Sequence, residues 1–151
     1  PGGALEEWAG RALDSWRTAE DLPLPENRVT VNSSGQIVVR DKENNAQGNR
    51  RLDKKLRSML KDIGCENRLL DFSLYMGKKI PLAGVAHQNG TLRFGSDPKS
   101  SVLDLDCKAH DLDNLYVVDS SFFVSSSAVN PTLTIVANSL RVGDRILERM
   151  R

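Results

Sequence analysis

Only two cysteines, Cys65 and Cys107, occur in this chain, and their separation matches neither a metal-ligand spacing nor a disulfide framework. The expectation is two reduced, buried thiols and no metal site. Charge of one sign is missing as well: 21 Lys and Arg stand against 20 Asp and Glu. The basic residues are dispersed, apart from a run between Arg50 and Lys61 and a terminal set, Arg141, Arg145, Arg149 and Arg151. The run alternates with apolar positions on a helix and the terminal set complements a helix C-terminus, so both read as solvated faces and a nucleic-acid partner is not expected. No hydrophobic run is long enough to span a membrane, and no signal peptide, internal repeat or low-complexity tract is visible. The chain opens on Pro1 rather than Met, as a piece of a longer protein would. A cytoplasmic location is the default expectation.

What is present is ordinary globular composition, 151 residues with 39% hydrophobic and 27% charged, enough for a domain with a core. Ala4 to Trp16 reads as a short helix, with Leu5, Trp8, Ala12 and Trp16 near one face and Pro23 and Pro25 beyond it. Two β-branched runs, Arg28 to Asn32 and Gln36 to Arg40, flank Ser33-Ser34-Gly35 and predict a hairpin. Asn49 to Ile63 is an amphipathic helix with Leu52, Leu56, Met59, Leu60 and Ile63 as its stripe and Gly64 as its stop. From Gly77 to Asp97 small residues and glycines replace the periodic pattern, which predicts a long loop. Leu115 to Val118 suits a buried strand of a parallel sheet, ending in the polar Asp119-Ser120-Ser121.

The last helix is the best defined. A Ser-rich loop, Ser125 to Val129, runs into Asn130-Pro131-Thr132, where Asn is a favoured N-cap and Pro a favoured first residue; Leu133, Val136, Ala137, Leu140, Ile146 and Leu147 follow at helical spacing. The first turn of such a helix leaves N–H groups unpaired and carries partial positive charge. Two readings stand, a plain capped helix packed on a core or a seat for an electron-rich group. Of the two histidines, His110 lies in a polar turn, whereas His87 lies between Gly84 and Gly90, where backbone can approach a ligand. His87 is therefore either a proton acceptor at neutral pH or a hydrogen-bonded structural residue.

Taken together, His87-Gln88-Asn89-Gly90-Thr91-Leu92-Arg93-Phe94-Gly95, Asp97-Pro98, Asn114 to Ser121 and Asn130-Pro131-Thr132 resemble the C-terminal signature of the glucose-methanol-choline (GMC) flavoprotein oxidoreductases. That signature is a His followed by Gly-Thr-x-Arg-x-Gly, a strand ending in Asp-x-Ser, and an Asn-Pro or His opening the last helix. His87 and Asn130 lie 43 positions apart, similar to the separation of the family's catalytic pair. Asp21-Leu22-Pro23 and the hairpin resemble the substrate-domain segment that precedes it. Two departures are visible: Val124 and Ser127 stand where many relatives have Pro and Gly, and the family's G-x-G-x-x-G dinucleotide fingerprint is absent.

The resemblance implies FAD as cofactor, an alcohol or sugar as substrate, and an N-terminal FAD-binding half supplied by the same or a separate chain. It implies that His87 is the general base, that Asn130 hydrogen-bonds the substrate oxygen, that Pro131 and Thr132 face the pyrimidine edge of the flavin, and that Asp119 and Ser120 contact its ribityl-diphosphate region. Gly90 and Thr91 would shape the loop behind His87. The implied fold is mixed α+β and α/β: residues 1–101 form part of a substrate domain with an antiparallel sheet and helices, and residues 102–151 add the last strand and helix of the FAD-binding domain. A catalytically inert fragment or stand-alone interaction domain is the alternative, and a third reading keeps the fold for a lyase that uses the His without redox.

Overall fold

The computed structural model describes residues 2–65, 69 and 84–151. The N-terminal helix α1 spans Gly2–Ala9, shorter than the expected Ala4 to Trp16. Gly10 stops it, its amide still bonding back to the Glu6 carbonyl at 3.0 Å, because glycine readily leaves the helical conformation. The apolar spacing that continues to Trp16 is not helical, and Trp16 is exposed.

The hairpin forms as expected. Strand β1, Arg28–Val31, pairs antiparallel with β2, Ile37–Arg40, in the register Val29 to Val39 and Val31 to Ile37. Its turn is built on Asn32, whose side-chain oxygen accepts from the amides of Ser34 and Gln36 at 3.0 and 2.9 Å, with Gly35 at φ +78°. An Asx turn of this kind fixes the register before any packing does.

Helix α2 spans Ala46–Asp62, three residues longer at its start than the apolar stripe indicates. Asn45 is the reason: it takes a left-handed conformation and its side chain accepts from the Gly48 amide. Gly64, at φ +73°, closes the other end as read from sequence. Cys65 beyond it is half-buried and Cys107 fully buried, and both are free thiols. A strap of residues 17–22 joins this half to the rest. Arg17 pairs with Asp53 of α2, Asn44 brackets the Leu22 backbone, and Asp21 exchanges two 3.0 Å backbone bonds with Ser126. Hydrogen bonds from Arg57 and then Arg17 hold the Asp53 carboxyl below its ordinary range.

The core lies in the second half. Leu103, Cys107, Ala109, Phe122 and Val142 are buried, with Leu92, Phe94, Val117, Val118, Ile135 and Ile146 packed around them. Residues 90–118 reach it as a chain of single bridges rather than a sheet. The expected parallel strand at Leu115 to Val118 is one such correction: only Tyr116 bridges, antiparallel to Lys108, because its neighbour is a tight turn too short to extend a ladder. The expected loop from Gly77 is described only from Gly84 onward, and its residues 77–83 lie outside the described residues.

Residues Ser120–Phe122 form one turn of 3-10 helix, and α3 spans Thr132–Arg149. Asn130 does not cap α3, contrary to the sequence expectation. Pro131 occupies the cap position in a helical conformation without a side-chain bond, and its carbonyl accepts from Ile135 at 3.0 Å. The terminal arginines are not merely solvated either. Arg141 bonds the Leu105 carbonyl and the Asp106 carboxylate, and Arg149 bonds the Asp113 carbonyl and the Tyr116 hydroxyl. Both clamp α3 onto residues 105–116. No helix among the described residues is long and apolar enough to cross a membrane.

Phe122 is 4% exposed, edge-on to Phe94 at 5.8 Å and stacked on Phe123 at 4.4 Å. Phe122→Ala is expected to lower unfolding free energy by about 3–5 kcal/mol, measured from the urea midpoint.

Candidate active site

The His87 loop gains its shape from the turn it lies against. The Ser120 hydroxyl donates to the Gln88 carbonyl at 2.9 Å. The amides of Gly90, Leu92 and Phe94 then donate to the carbonyls of Ser120, Ser121 and Phe122 at 3.2, 3.0 and 3.2 Å. Gly90 is required there: its φ is +79°, and a Cβ would stand 3.2 Å from the Phe123 carbonyl oxygen.

His87 thereby faces the start of α3 across a cleft of about 340 Å³, lined by His87, Ser120, Asn130, Pro131, Thr132 and Ile135 together with Ala86 and Gln88. Five of the six residues singled out from sequence meet here. Asp119 does not line the cleft; its carboxylate accepts from the Ser121 amide at 2.7 Å and caps the 3-10 turn. Gln88 and Ile135 were not legible as site residues, since a polar neighbour of His87 and one apolar helix position carry no distinctive signal.

The chemistry of this lining is simple. His87 is the one ionisable side chain among the cleft's lining residues. Its backbone carbonyl accepts from the Asn89 side chain at 3.1 Å, while no hydrogen bond to its ring occurs among the described residues. The amides of Thr132, Leu133 and Thr134 precede the first α3 bond, made by Ile135, and have no protein acceptor among the described residues. They aim partial positive charge into a neutral cleft. The second histidine has a structural task, as its turn context predicts: His110 Nε2 lies 3.2 Å from the Gly95 carbonyl and 3.1 Å from Ser101 Oγ.

A larger groove of about 510 Å³ separates the strap and β1 from the loop of residues 89–102 and contains Asp21, Arg28, Arg93 and Lys99. Burial first, and then the Asp41 charge, pushes the Asp21 carboxyl above its ordinary range against a hydrogen bond from Asn44.

With this geometry in view, the comparisons are direct. The family model for GMC oxidoreductases, in its C-terminal form, matches residues 23–139. The chain belongs to the GMC oxidoreductases. Over 67 residues, 44% of the chain, it is 43% identical to 6'''-hydroxyparomomycin C oxidase of Streptomyces lividus. Over 58 residues, 38% of the chain, it is 47% identical to paromamine 6'-oxidase of Streptomyces fradiae. Over 63 residues, 42% of the chain, it is 44% identical to 2-methyl-1,2-propanediol dehydrogenase of Mycolicibacterium austroafricanum. The matched part amounts to 12, 11 and 11% of these relatives' own lengths.

Gly90→Ala is expected to cost about 1–3 kcal/mol through the left-handed backbone and the Phe123 contact. Thr91→Ala, exposed in the same loop, should stay within about 0.5 kcal/mol of the parent in thermal unfolding.

Proposed function

We propose that this chain is the C-terminal portion of an FAD-dependent GMC enzyme that oxidises a CH–OH group of an alcohol or sugar. The observation that carries the reading is the neutral cleft in which His87 is the one ionisable lining group and stands against Asn130 and the free amides of α3. The relatives' names fit this substrate class, for they include a propanediol dehydrogenase, a fructose dehydrogenase, a long-chain-alcohol oxidase and a pyranose oxidase.

In this reading the His87 imidazole accepts the substrate hydroxyl proton, and the Asn130 side-chain amide donates a hydrogen bond to the same oxygen. Charge that develops on that oxygen is thereby neutralised on one side and stabilised on the other, which favours departure of hydride from the adjoining carbon. FAD, when bound, supplies the acceptor for that hydride. The amides of Thr132, Leu133 and Thr134 suit the electron-rich pyrimidine edge of the flavin, because three unpaired donors and a helix N-terminus oppose negative charge there. Contact of Asp119 and Ser120 with the ribityl-diphosphate region follows from the family resemblance.

The ADP half of FAD has no fingerprint in this sequence, so its site belongs to a further, N-terminal part. With residues 1–101 assigned to the substrate domain and 102–151 to the flavin domain, the core around Leu92, Leu103, Phe122 and Val142 sits at their junction. The apolar residues Leu133, Val136, Leu140, Leu147 and Met150 are all exposed along α3, and the missing half is assigned to cover them. The chain made alone is therefore expected to self-associate on size exclusion; a monodisperse monomer would count against that assignment.

The test is a flavin titration of the chain with its N-terminal part, followed by anaerobic reduction with alcohols and sugars. FAD should bind to parent and His87→Ala alike, and His87→Ala should slow substrate-dependent flavin bleaching by about 10²–10⁴-fold. Absence of flavin binding would favour the inert-module reading. Undiminished reduction by His87→Ala would remove the proposed base.

A further inference from the structure

We propose that Ser120 is a positioning residue that sets the His87 imidazole against the start of α3, rather than a group that contacts the cofactor. The inference rests on the reading of His87 as base but is carried by separate observations. Two different groups of Ser120 grip the His87 loop: its hydroxyl donates to the Gln88 carbonyl at 2.9 Å, and its carbonyl accepts from the Gly90 amide at 3.2 Å. These two bonds bracket Gln88 and Asn89, the residues that directly follow His87.

The other wall of the cleft hangs from the same place. Ser139 of α3 donates to the Val118 carbonyl at 3.2 Å and to the Ile135 carbonyl at 2.8 Å. Val118 thus anchors the helix whose first turn brings Asn130, Pro131 and Thr132 to the cleft, and Ser120, two residues on, anchors the loop that brings His87. The intervening Asp119 is not free to swing, for its carboxylate caps the turn at 2.7 Å. The turn itself is pinned by buried Phe122. Segment 118–122 is therefore a common mount for both walls, and the Ser120 hydroxyl is its side-chain contact with the His87 loop. A base held by two backbone bonds on a short rigid mount stays aligned with a small substrate oxygen, whereas a loop held by one bond samples other positions.

The experiment uses the full-length flavoenzyme and the variants Ser120→Ala, Ser120→Thr and His87→Ala. Hydrogen–deuterium exchange of peptides spanning residues 85–92 reports on the loop without substrate. Removing one neutral hydrogen bond should speed that exchange roughly fivefold in Ser120→Ala, with peptides of α3 unchanged, and Ser120→Thr should restore slow exchange. Flavin content should match the parent, while flavin reduction slows roughly tenfold at saturating substrate, a loss of alignment rather than of affinity. Loss of flavin from Ser120→Ala with loop exchange unchanged would overturn the proposal and assign the hydroxyl to the cofactor. Unchanged exchange with normal flavin content would overturn it too. Undiminished reduction by His87→Ala contradicts the base reading alone, since the exchange result still decides whether Ser120 holds the loop. Should Ser120→Ala not be recovered folded, Ser120→Cys, close in shape with a weak S–H donor, carries the same measurements.

Discussion

Phe122 is 4% exposed, and because it ends the single turn Ser120–Phe122, whatever fixes its ring also fixes the backbone on which both walls of the cleft are hung. The fixing is apolar: Phe94 meets it edge-on, Phe123 stacks on it, and Leu103 and Val142 bury with it. Hydrogen bonds then take their direction from that mount. Gly90, Leu92 and Phe94 lie along its carbonyls on one side, and Ser139 bonds Val118 just before it on the other. A one-turn helix would not persist alone, since its few bonds do not offset the ordering of its residues. Packing of one aromatic ring gives it permanence, so the cleft depends on a hydrophobic contact that no substrate touches.

The cleft's electrostatics follow from which groups are kept out of it. Carboxylates and cations nearby are engaged elsewhere: Asp119 caps the turn, Arg141 and Arg149 clamp α3 from below, and Asp53 is tied to Arg17 and Arg57. What remains is one imidazole, an amide side chain, and the free N–H groups of a helix start. In such surroundings a proton acceptor competes with no neighbouring charge, and the helix end opposes negative charge without carrying a mobile proton. The same feature explains why a family with diverse alcohol and sugar substrates retains a compact C-terminal signature: these groups address an oxygen, not the rest of the substrate.

Local elements were legible where one residue or one period dominates. Asn32 with Gly35 announces the hairpin, and the Leu52 to Ile63 stripe announces α2. Sequence reading failed where backbone punctuation outweighs periodicity: Gly10 ends α1 inside an apolar pattern, and Asn45, left-handed, starts α2 before its stripe. It failed again where a run of β-branched residues lacked a partner, so that Leu115 to Val118 became a bridge and not a strand. At the site, ordered motifs pointed to His87 and Asn130, and the structure brings both to one cleft with Pro131 and Thr132. The capping role of Asn130 was misjudged because Pro131 itself takes the cap. The grip of Ser120 on Gln88 was not legible, because it joins residues 32 positions apart through a backbone carbonyl that has no sequence signature.

The most direct measurement is a crystal structure of the flavin-loaded, full-length protein with an unreactive alcohol analogue. The account predicts the analogue's oxygen within about 3 Å of both a His87 ring nitrogen and the Asn130 side-chain nitrogen, with the flavin's pyrimidine edge on the amides of Thr132 to Thr134. An oxygen that touches neither residue, or a flavin seated away from those amides, would contradict it.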